Sequence, residues 1–153
     1  MMDKDKFIIR KAKLDDLDDI KSIVDSEKSI FGFITRGTIK AAVISNNIFV
    51  AEYKGRIVGF QHYYHRKSDG QTTLYKKAVI EEFRNLGIGS SLVKAVIDEA
   101  KKIGKLKIKL KCPVGLAANT FHKKMGFHLK YREKGKKREL NVYEYDLIGN
   151  SND

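Results

Sequence analysis

The sequence has 153 residues, of which 42 % are hydrophobic and 33 % are charged, and its formal net charge is +12. This length suits one compact domain, and the hydrophobic fraction excludes a chain that is disordered throughout. A single cysteine excludes an internal disulfide, and no apolar run reaches the roughly 20 residues of a membrane span. Residues 1–10 also lack the apolar segment of a signal peptide. We therefore expect a soluble, cytoplasmic protein with one domain over 1–153 and an ordered core at about 7–147.

The positive charge is concentrated in the C-terminal third. Residues 101–140 contain fourteen lysines and arginines but only two acidic residues, whereas the rest of the chain has seventeen of each. A basic region of this kind attracts phosphorylated ligands, acidic substrates, nucleic acid or phospholipid surfaces. A solvated face without a partner is the alternative interpretation.

The predicted elements follow the order β-α-α-β-β-β-α-β-α-β-β. A first strand is predicted at 7–10, and helical periodicity predicts helices at about 14–24 and 35–45. The Lys54-Gly55 turn between apolar segments predicts a hairpin of strands 47–53 and 56–66, which a strand at 71–80 follows. A helix is predicted at 87–102 and ends before Gly104.

The C-terminal part opens with an alternating segment at 105–111. Leu106, Ile108 and Leu110 alternate there with four lysines, which predicts a strand with one buried face. A short helix at 117–124 precedes an antiparallel pair at 127–131 and 141–147 around a basic loop. Because a strand–helix–strand unit gives a parallel pair, we expect an α/β fold with one mixed sheet flanked by helices.

A glycine-containing segment, Arg84-Asn85-Leu86-Gly87-Ile88-Gly89-Ser90, lies between a predicted strand and a predicted helix. The first amides of a helix have no intrahelical partner and bind phosphate oxygens, and glycine lets a pyrophosphate approach the backbone. The arginine can add a charged phosphate contact. A dinucleotide fingerprint is excluded because its third glycine is replaced by Leu92, and no lysine follows as in a triphosphate loop. An ordinary helix start is the alternative.

Together with a second segment, this loop resembles the GNAT superfamily of acyl-CoA-dependent N-acyltransferases. Arg84-x-x-Gly87-x-Gly89 is similar to the central motif of that family, and the segments 112–114 and 118–127 are similar to its second motif. The element order over 7–147 is also similar, so the resemblance covers nearly the whole chain. It implies a GNAT-like fold with a mostly antiparallel mixed sheet. The implied activity is transfer of an acetyl group from acetyl-CoA to a primary amine of a protein or small molecule.

The resemblance also implies where acetyl-CoA binds, and it implies no metal. The pyrophosphate would be held, with Arg84 nearby, by the amides of Asn85, Leu86, Gly87, Ile88, Gly89 and Ser90. The pantetheine arm would pair like an added strand with the backbone of Ala78, Val79 and Ile80, and an amide near Val79 or Ile80 would polarise the thioester carbonyl. Asn119 corresponds to a residue that bonds the cofactor arm, with a helix N-cap as its alternative role.

Two positions depart from the catalytic pattern of the family. The tyrosine that protonates the departing thiolate is replaced by His122, which we expect to lie at the cofactor as the general acid or else on the helix surface. The glutamate that often accepts the amine proton is replaced by Lys76. Our candidate base is Glu81, and the alternatives are a water chain, Glu82, His62, Tyr64 and His65.

Direct attack of the amine on the thioester in a ternary complex is the expected mechanism. An acetyl-cysteine on Cys112 is the less favoured route, because no base is evident beside it. Two other functions stay open: a nucleic-acid-associated binding module that uses the basic 101–140 region, and a CoA-binding protein that transfers nothing. The first lacks the aromatic interleaving of a single-strand binder and any zinc or helix-turn-helix pattern. No membrane partner is expected, and a homodimer is compatible with the sequence.

Overall fold

The computed structural model describes residues 7–27 and 34–148. Its sheet has seven strands: β1 (Phe7–Lys11), β2 (Ile48–Tyr53), β3 (Arg56–His65), β4 (Gln71–Val79), β5 (Lys107–Pro113), β6 (His128–Lys134) and β7 (Glu139–Asp146). The strand order is β1-β2-β3-β4-β5-β7-β6. The α-helices of these ranges are α1 (Leu17–Ser26), α2 (Arg36–Ile44), α3 (Ile88–Lys102) and α4 (Ala118–Lys124). The predicted α/β class and element order are confirmed.

The differences from the predicted elements lie at their ends. A 3-10 turn, Leu14–Asp16, precedes α1, where the sequence pattern predicts one continuous helix. The final hairpin is longer than predicted, because β6 continues to Lys134 and β7 begins at Glu139, which leaves 135–138 as the loop. The ordered core is predicted to end at about residue 147. Residues 149–153 lie outside the described ranges.

The lysine-rich strand β5 begins two residues later than predicted. Ile108 and Leu110 are buried as expected, but Leu106 is 51 % exposed, so its assignment to the buried face was wrong. Leu106 precedes the strand because its backbone amide donates to the carbonyl of Gly70, and its side chain lies over that glycine. The buried face of β5 continues instead to Cys112.

The chain divides into two compact units, Met1–Tyr63 with Lys76–Val96, and Tyr64–Tyr75 with Ile97–Asp153. The first unit has a hydrophobic cluster on each face of its strands. Val50 and Ile57 pack in one cluster with the apolar stripes of α1 and α2. Their neighbours Ala51 and Val58 pack in the other with Ile88 at the start of α3. Successive residues enter opposite clusters because side chains alternate across a strand.

The second unit contains the parallel pair of the sheet. Its register joins residues 71–73 of β4 to 107–109 of β5. Strand β5 then pairs antiparallel with β7, and β7 pairs antiparallel with β6. Strand β7 is largely buried, whereas β6 ends the strand order and is almost wholly exposed. No helix in the described part of the chain has the length and apolar character to cross a membrane.

A polar cluster in the first unit fixes β1 to the 3-10 turn. The Arg10 guanidinium donates to both Asp16 carboxylate oxygens, at 2.8 and 3.0 Å, and to Glu52 Oε1 at 2.7 Å. The Lys13 amide donates to Asp16 Oδ2 at 2.7 Å. Burial alone would raise the pKa of Asp16, but the hydrogen bonds from Arg10 and Lys13 outweigh it, so the pKa is lowered. The turn therefore depends on an ionised Asp16.

We expect Asp16→Asn to lower the free energy of unfolding at neutral pH by about 2–3 kcal/mol, because a partly buried guanidinium loses one of its two carboxylate partners and the Lys13 amide loses a charged acceptor. Since the pKa of Asp16 is lowered by folding, its contribution is present above the ordinary value of 3.8 and is lost as the pH falls through the folded value. Urea denaturation at several pH values checks this. A deficit that stays constant into the acid range would contradict it.

Candidate functional site

The glycine-containing loop of the first unit has a left-handed backbone at two positions. Asn85 has φ 64° and Gly87 has φ 87°. Asparagine tolerates this region, and glycine adopts it without cost. A Cβ built on Gly87 would meet no atom within 4 Å, so the space above the loop is open. The loop thus turns sharply out of the 3-10 turn Glu81–Phe83 into α3 while its backbone stays accessible.

The hydrogen bonds of α3 show which amides are available to a ligand. The Ser91 amide makes the first helical bond, to the Gly87 carbonyl at 3.0 Å. The preceding amides, those of Ile88, Gly89 and Ser90, therefore have no carbonyl one turn earlier in the helix. The Ile88 side chain is 1 % exposed and packs with Phe83 and Leu92, which holds this end of the helix in place. Three fixed amides and the positive end of the helix dipole fit a phosphate group.

Arg84 makes protein contacts that the sequence could not indicate. Its Nε donates to the Val79 carbonyl at 2.9 Å, and its Nη2 donates to Glu27 Oε1 at 2.6 Å. The predicted phosphate contact would thus require the guanidinium to leave Glu27 or to serve both anions. Arg84 connects the loop to the end of β4 and to the residue that follows α1.

The backbone at the end of β4 alternates in its hydrogen bonding. The Ile80 amide donates to the Val58 carbonyl at 2.9 Å, so it faces β3. Since successive residues of an antiparallel strand point their amides to opposite sides, the Val79 amide faces away from β3. The Ala78 side chain is buried. Of the two amides predicted to polarise a carbonyl, Val79 is therefore the one on the open side.

A cleft in the first unit contains the position where the family pattern has its glutamate. It is lined mainly by apolar side chains of α1, α2, β2 and β3, and its polar members are Thr38, His62 and Lys76. Burial lowers the pKa of His62, and the charge of Lys76 lowers it further. His62 is therefore unprotonated at neutral pH and can accept a proton.

The pKa of Lys77, a residue that no sequence pattern marks, is strongly lowered. Burial lowers its pKa to about 7, so a substantial fraction of its amine is neutral near neutral pH. No signal in the sequence marks it, because Lys76 and Lys77 are adjacent and only the tertiary structure distinguishes their environments.

The other candidate bases differ in their surroundings. Glu81 and Glu82 are exposed, and Glu82 lies 3.7 Å from Arg56. In the second unit, Tyr64 is half-buried. His65 there bonds Thr72 Oγ1 through Nδ1 at 2.6 Å and Glu99 Oε1 through Nε2 at 2.8 Å. Both ring nitrogens of His65 therefore have protein partners.

Asn119, in the second unit, has its whole amide engaged by the protein. Its Nδ2 donates to the carbonyls of Pro113 and Leu116, at 3.0 and 2.8 Å. Its Oδ1 accepts from Asn141 Nδ2 at 2.9 Å and from the Tyr143 hydroxyl at 2.8 Å. The expected N-cap alternative was wrong, because Ala117 is the N-cap of α4. The amide instead joins the loop before α4 to β7, and a cofactor contact through it remains a prediction.

His122, on α4, lies among aromatic rings. Its ring centroid is 5.6 Å from that of Phe121, 6.2 Å from Phe127 and 5.8 Å from Tyr143. The imidazole is half-buried, so it is not a freely solvated surface histidine. Cys112 is buried, and burial raises the pKa of its thiol, which disfavours the thiolate that covalent transfer needs.

We expect Asn119→Ala to lower the free energy of unfolding by about 2–4 kcal/mol, because the buried Tyr143 hydroxyl and Asn141 amide would both lose a partner. Tyr143→Phe removes one bond of the same network and should cost about 1 kcal/mol. Urea denaturation of both variants measures the difference. Unchanged stability together with weakened acetyl-CoA binding would show that Asn119 acts on the cofactor instead.

Comparison with known proteins identifies the family of this chain. The Acetyltransferase (GNAT) family model matches residues 21–127. Ard1 from Thermoplasma volcanium has a TM-score of 0.82 at 21 % identity, over 92 % of this chain and 97 % of that one. The Salmonella typhimurium yncA structure with its cofactor acetyl-CoA gives 0.78 at 20 % identity, over 93 % and 94 %. The ribosomal-protein-S18-alanine N-acetyltransferase of Escherichia coli gives 0.74 at 18 % identity, over 92 % and 94 %. These structures share the fold, and the chain belongs to the GNAT family of acetyltransferases.

Proposed function

We propose that the whole chain is one acetyltransferase domain, which transfers the acetyl group of acetyl-CoA to a primary amine. The observation that carries this proposal is the start of α3, where three amides precede the first helical bond beside an unobstructed Gly87. This arrangement suits a pyrophosphate, and the yncA relative is described with acetyl-CoA as its cofactor. Asn85 and Leu86 continue the same loop backbone toward the phosphates.

The reaction we propose is direct attack of the amine nitrogen on the thioester carbonyl carbon. The carbon–sulfur bond breaks, the thiolate departs, and the amine loses one proton to a base. The Val79 amide, which faces away from β3, is the proposed donor to the carbonyl oxygen, a contribution of about 3 kcal/mol. His122 is the proposed acid for the thiolate, and its aromatic surroundings support a fixed ring orientation.

We propose His62 as the base, in preference to Glu81. His62 lines the cleft at Lys76, the position of the family's glutamate, and its lowered pKa keeps the ring neutral at neutral pH. Glu81 is exposed on the 3-10 turn, so solvent surrounds its carboxylate. Lys76 acts as a positioning residue, because its charge disfavours the protonated imidazole.

The cleft also supports a class of acceptor. Its lining is mostly apolar, and its one cationic side chain is Lys76. An acceptor with several positive charges would meet repulsion there, whereas an amine next to an apolar group would bury that group. We therefore propose an uncharged or apolar amine carrier, which includes a protein N-terminus such as the ribosomal-protein alanine named for the Escherichia coli relative.

We expect Gly87→Val to weaken acetyl-CoA binding at least about tenfold, because a β-branched residue at φ 87° costs roughly 1–2 kcal/mol and its side chain enters the phosphate space. Calorimetry measures the affinity. Gly104→Val is the matched control, since Gly104 has φ 86°, equally open surroundings and lies just beyond the other end of α3. Equal losses in both variants, or no acetyl-CoA binding by the native protein, would contradict the proposed pyrophosphate site.

We expect His62→Asn to lower kcat about 100-fold with little change in KM for acetyl-CoA, because the base is lost and the cofactor loop is intact. The native rate should fall on the acid side with a pKa below the ordinary histidine value, and Lys76→Gln should shift that limb to higher pH. The assay follows free CoA thiol with a panel of amines over about pH 5–9.

The exposed His128 provides the matched control, His128→Asn, which should retain native turnover. If Glu81→Gln abolishes turnover while His62→Asn does not, Glu81 is the base. A protein that binds acetyl-CoA tightly yet acetylates no amine would instead be a CoA-binding member of the family. His122→Phe with unchanged turnover over about pH 6–9 would exclude the proposed acid.

A further inference from the structure

The strand at the end of the sheet order carries a dense group of cations. We define the basic edge as β6 with the loop 135–138 that follows it. Six of its nine residues from 130 to 138 are lysine or arginine, and all six are exposed: Lys130, Arg132, Lys134, Lys136, Lys137 and Arg138. Charged side chains, lysine above all, are common on edge strands because they prevent edge-to-edge pairing, so the density of cations alone does not indicate a ligand.

The one acidic residue of the basic edge does not neutralise these cations. Glu133 accepts instead from Lys111 Nζ of β5 at 2.8 Å. Glu139, across the hairpin, is the register partner of Lys134, but they form no ion pair. Within the described residues 34–148, none of the six cations takes part in a salt bridge. Arg132 has one neutral hydrogen bond, to Asn141 Oδ1 at 3.2 Å.

The exposed aromatic ring of β6 shares a sheet face with Lys109, since Tyr131 pairs with Val142 of β7. Arg132 and Lys134 pair with Asn141 and Glu139, so they lie on the other face of the same edge strand. Tyr131 is 46 % exposed, and Lys109 Nζ of β5 is 5.5 Å from the centroid of its ring. An exposed ring beside cations offers a base a stacking surface and its phosphate a counter-charge. The sequence pattern could not predict this arrangement, because Lys109 and Tyr131 are distant in the chain. They come close because β7 pairs with both β5 and β6.

From these observations we infer that the basic edge binds single-stranded nucleic acid. Alternate residues of a strand are about 6.6 Å apart, a spacing that lets successive cations follow the phosphates of an extended strand. Because the exposed Tyr131 ring can stack only on a base that is not already stacked within a duplex, a single strand is favoured. Binding at the basic edge is separate from the acetyl transfer proposed above.

The arrangement of apolar residues argues against a membrane or a second copy as the occupant. Leu129 and Tyr131, the exposed apolar residues of β6, pair with the consecutive residues Tyr143 and Val142 of β7, so they lie on opposite faces. They cannot form one patch for insertion into lipid. Strand pairing between two copies would bring two rows of unpaired cations together, which like-charge repulsion disfavours.

The test is fluorescence anisotropy of the full chain with labelled 15-mers of uridine or thymidine nucleotides. We expect the logarithm of the association constant to fall linearly with the logarithm of the salt concentration, with a slope of about −4. Each phosphate that the protein neutralises on a single strand contributes about −0.7 to this slope. The four-fold variant Lys130→Gln/Lys134→Gln/Lys136→Gln/Lys137→Gln should reduce the slope to about −1. Tyr131→Ala should weaken binding about tenfold at high salt, where stacking dominates.

The matched control removes the same charge from the first unit, through Lys13→Gln/Lys40→Gln/Lys54→Gln/Lys94→Gln, and should leave the slope near the native value. Circular dichroism and urea denaturation establish that each variant is folded. Equal loss in both four-fold variants would overturn the inference, because binding would then follow net charge alone. Absence of binding at low salt, or edge-dependent binding only to phosphatidylglycerol vesicles, would also overturn it.

Discussion

The start of α3 imposes the constraint on which the proposed cofactor site depends. A helix cannot bond its own first amides, and here the ladder begins with Ser91 donating to Gly87. The buried Ile88 side chain holds the start of the helix in place. The left-handed backbone at Asn85 and Gly87 turns the chain sharply into this helix. The amides are therefore held in place before any ligand arrives. Because the donors are already oriented, little free energy is lost in rearranging them when an anion binds.

The first unit combines this proposed anion site with a cleft in which the His62 ring is kept neutral beside the charged Lys76. Burial and the neighbouring Lys76 both act against the charged form of His62, and burial does the same for Lys77. A proton acceptor must be unprotonated when the amine arrives, so a positive environment substitutes for the carboxylate that the family pattern has at this position. If His62 is the base, as we propose, the departure at Lys76 changes which side chain receives the proton and leaves the proposed attack by the amine as it is.

The features that sequence predicted well are those governed by local physics. The loop before α3 depends on two glycines, an asparagine and a helix start, all within seven residues, so its position could be predicted from the sequence, and phosphate binding by it stays a prediction. The hairpin at Lys54-Gly55 and the helix α3 follow from turn chemistry and apolar periodicity in the same way. Leu106 shows the limit of periodicity, because the alternating pattern includes it although β5 begins only at Lys107 and the Leu106 side chain lies over Gly70, exposed to solvent.

The features that sequence missed are long-range polar contacts. Arg84 reaches Glu27, which is 57 residues away, and Asn119 meets Tyr143, which is 24 residues away. A role assigned from one motif considers a side chain's chemistry but not the partners that already occupy it. Asn119 illustrates this, since its donors and acceptors are all used within the protein.

The effect of a charged side chain likewise depends on partners that are distant in the chain. A count over residues 101–140 gives a uniform positive third, yet the structure distinguishes two groups among these cations. Lys107 and Lys111 on β5 lie beside Glu144 and Glu133, so their charge is balanced locally. The cations of β6 and its loop keep theirs, because the one carboxylate of that stretch pairs with Lys111 of β5 instead. Net charge therefore overstates the attraction of β5 for an anion and understates that of the basic edge, and only the unbalanced group exerts a field that a polyanion would follow.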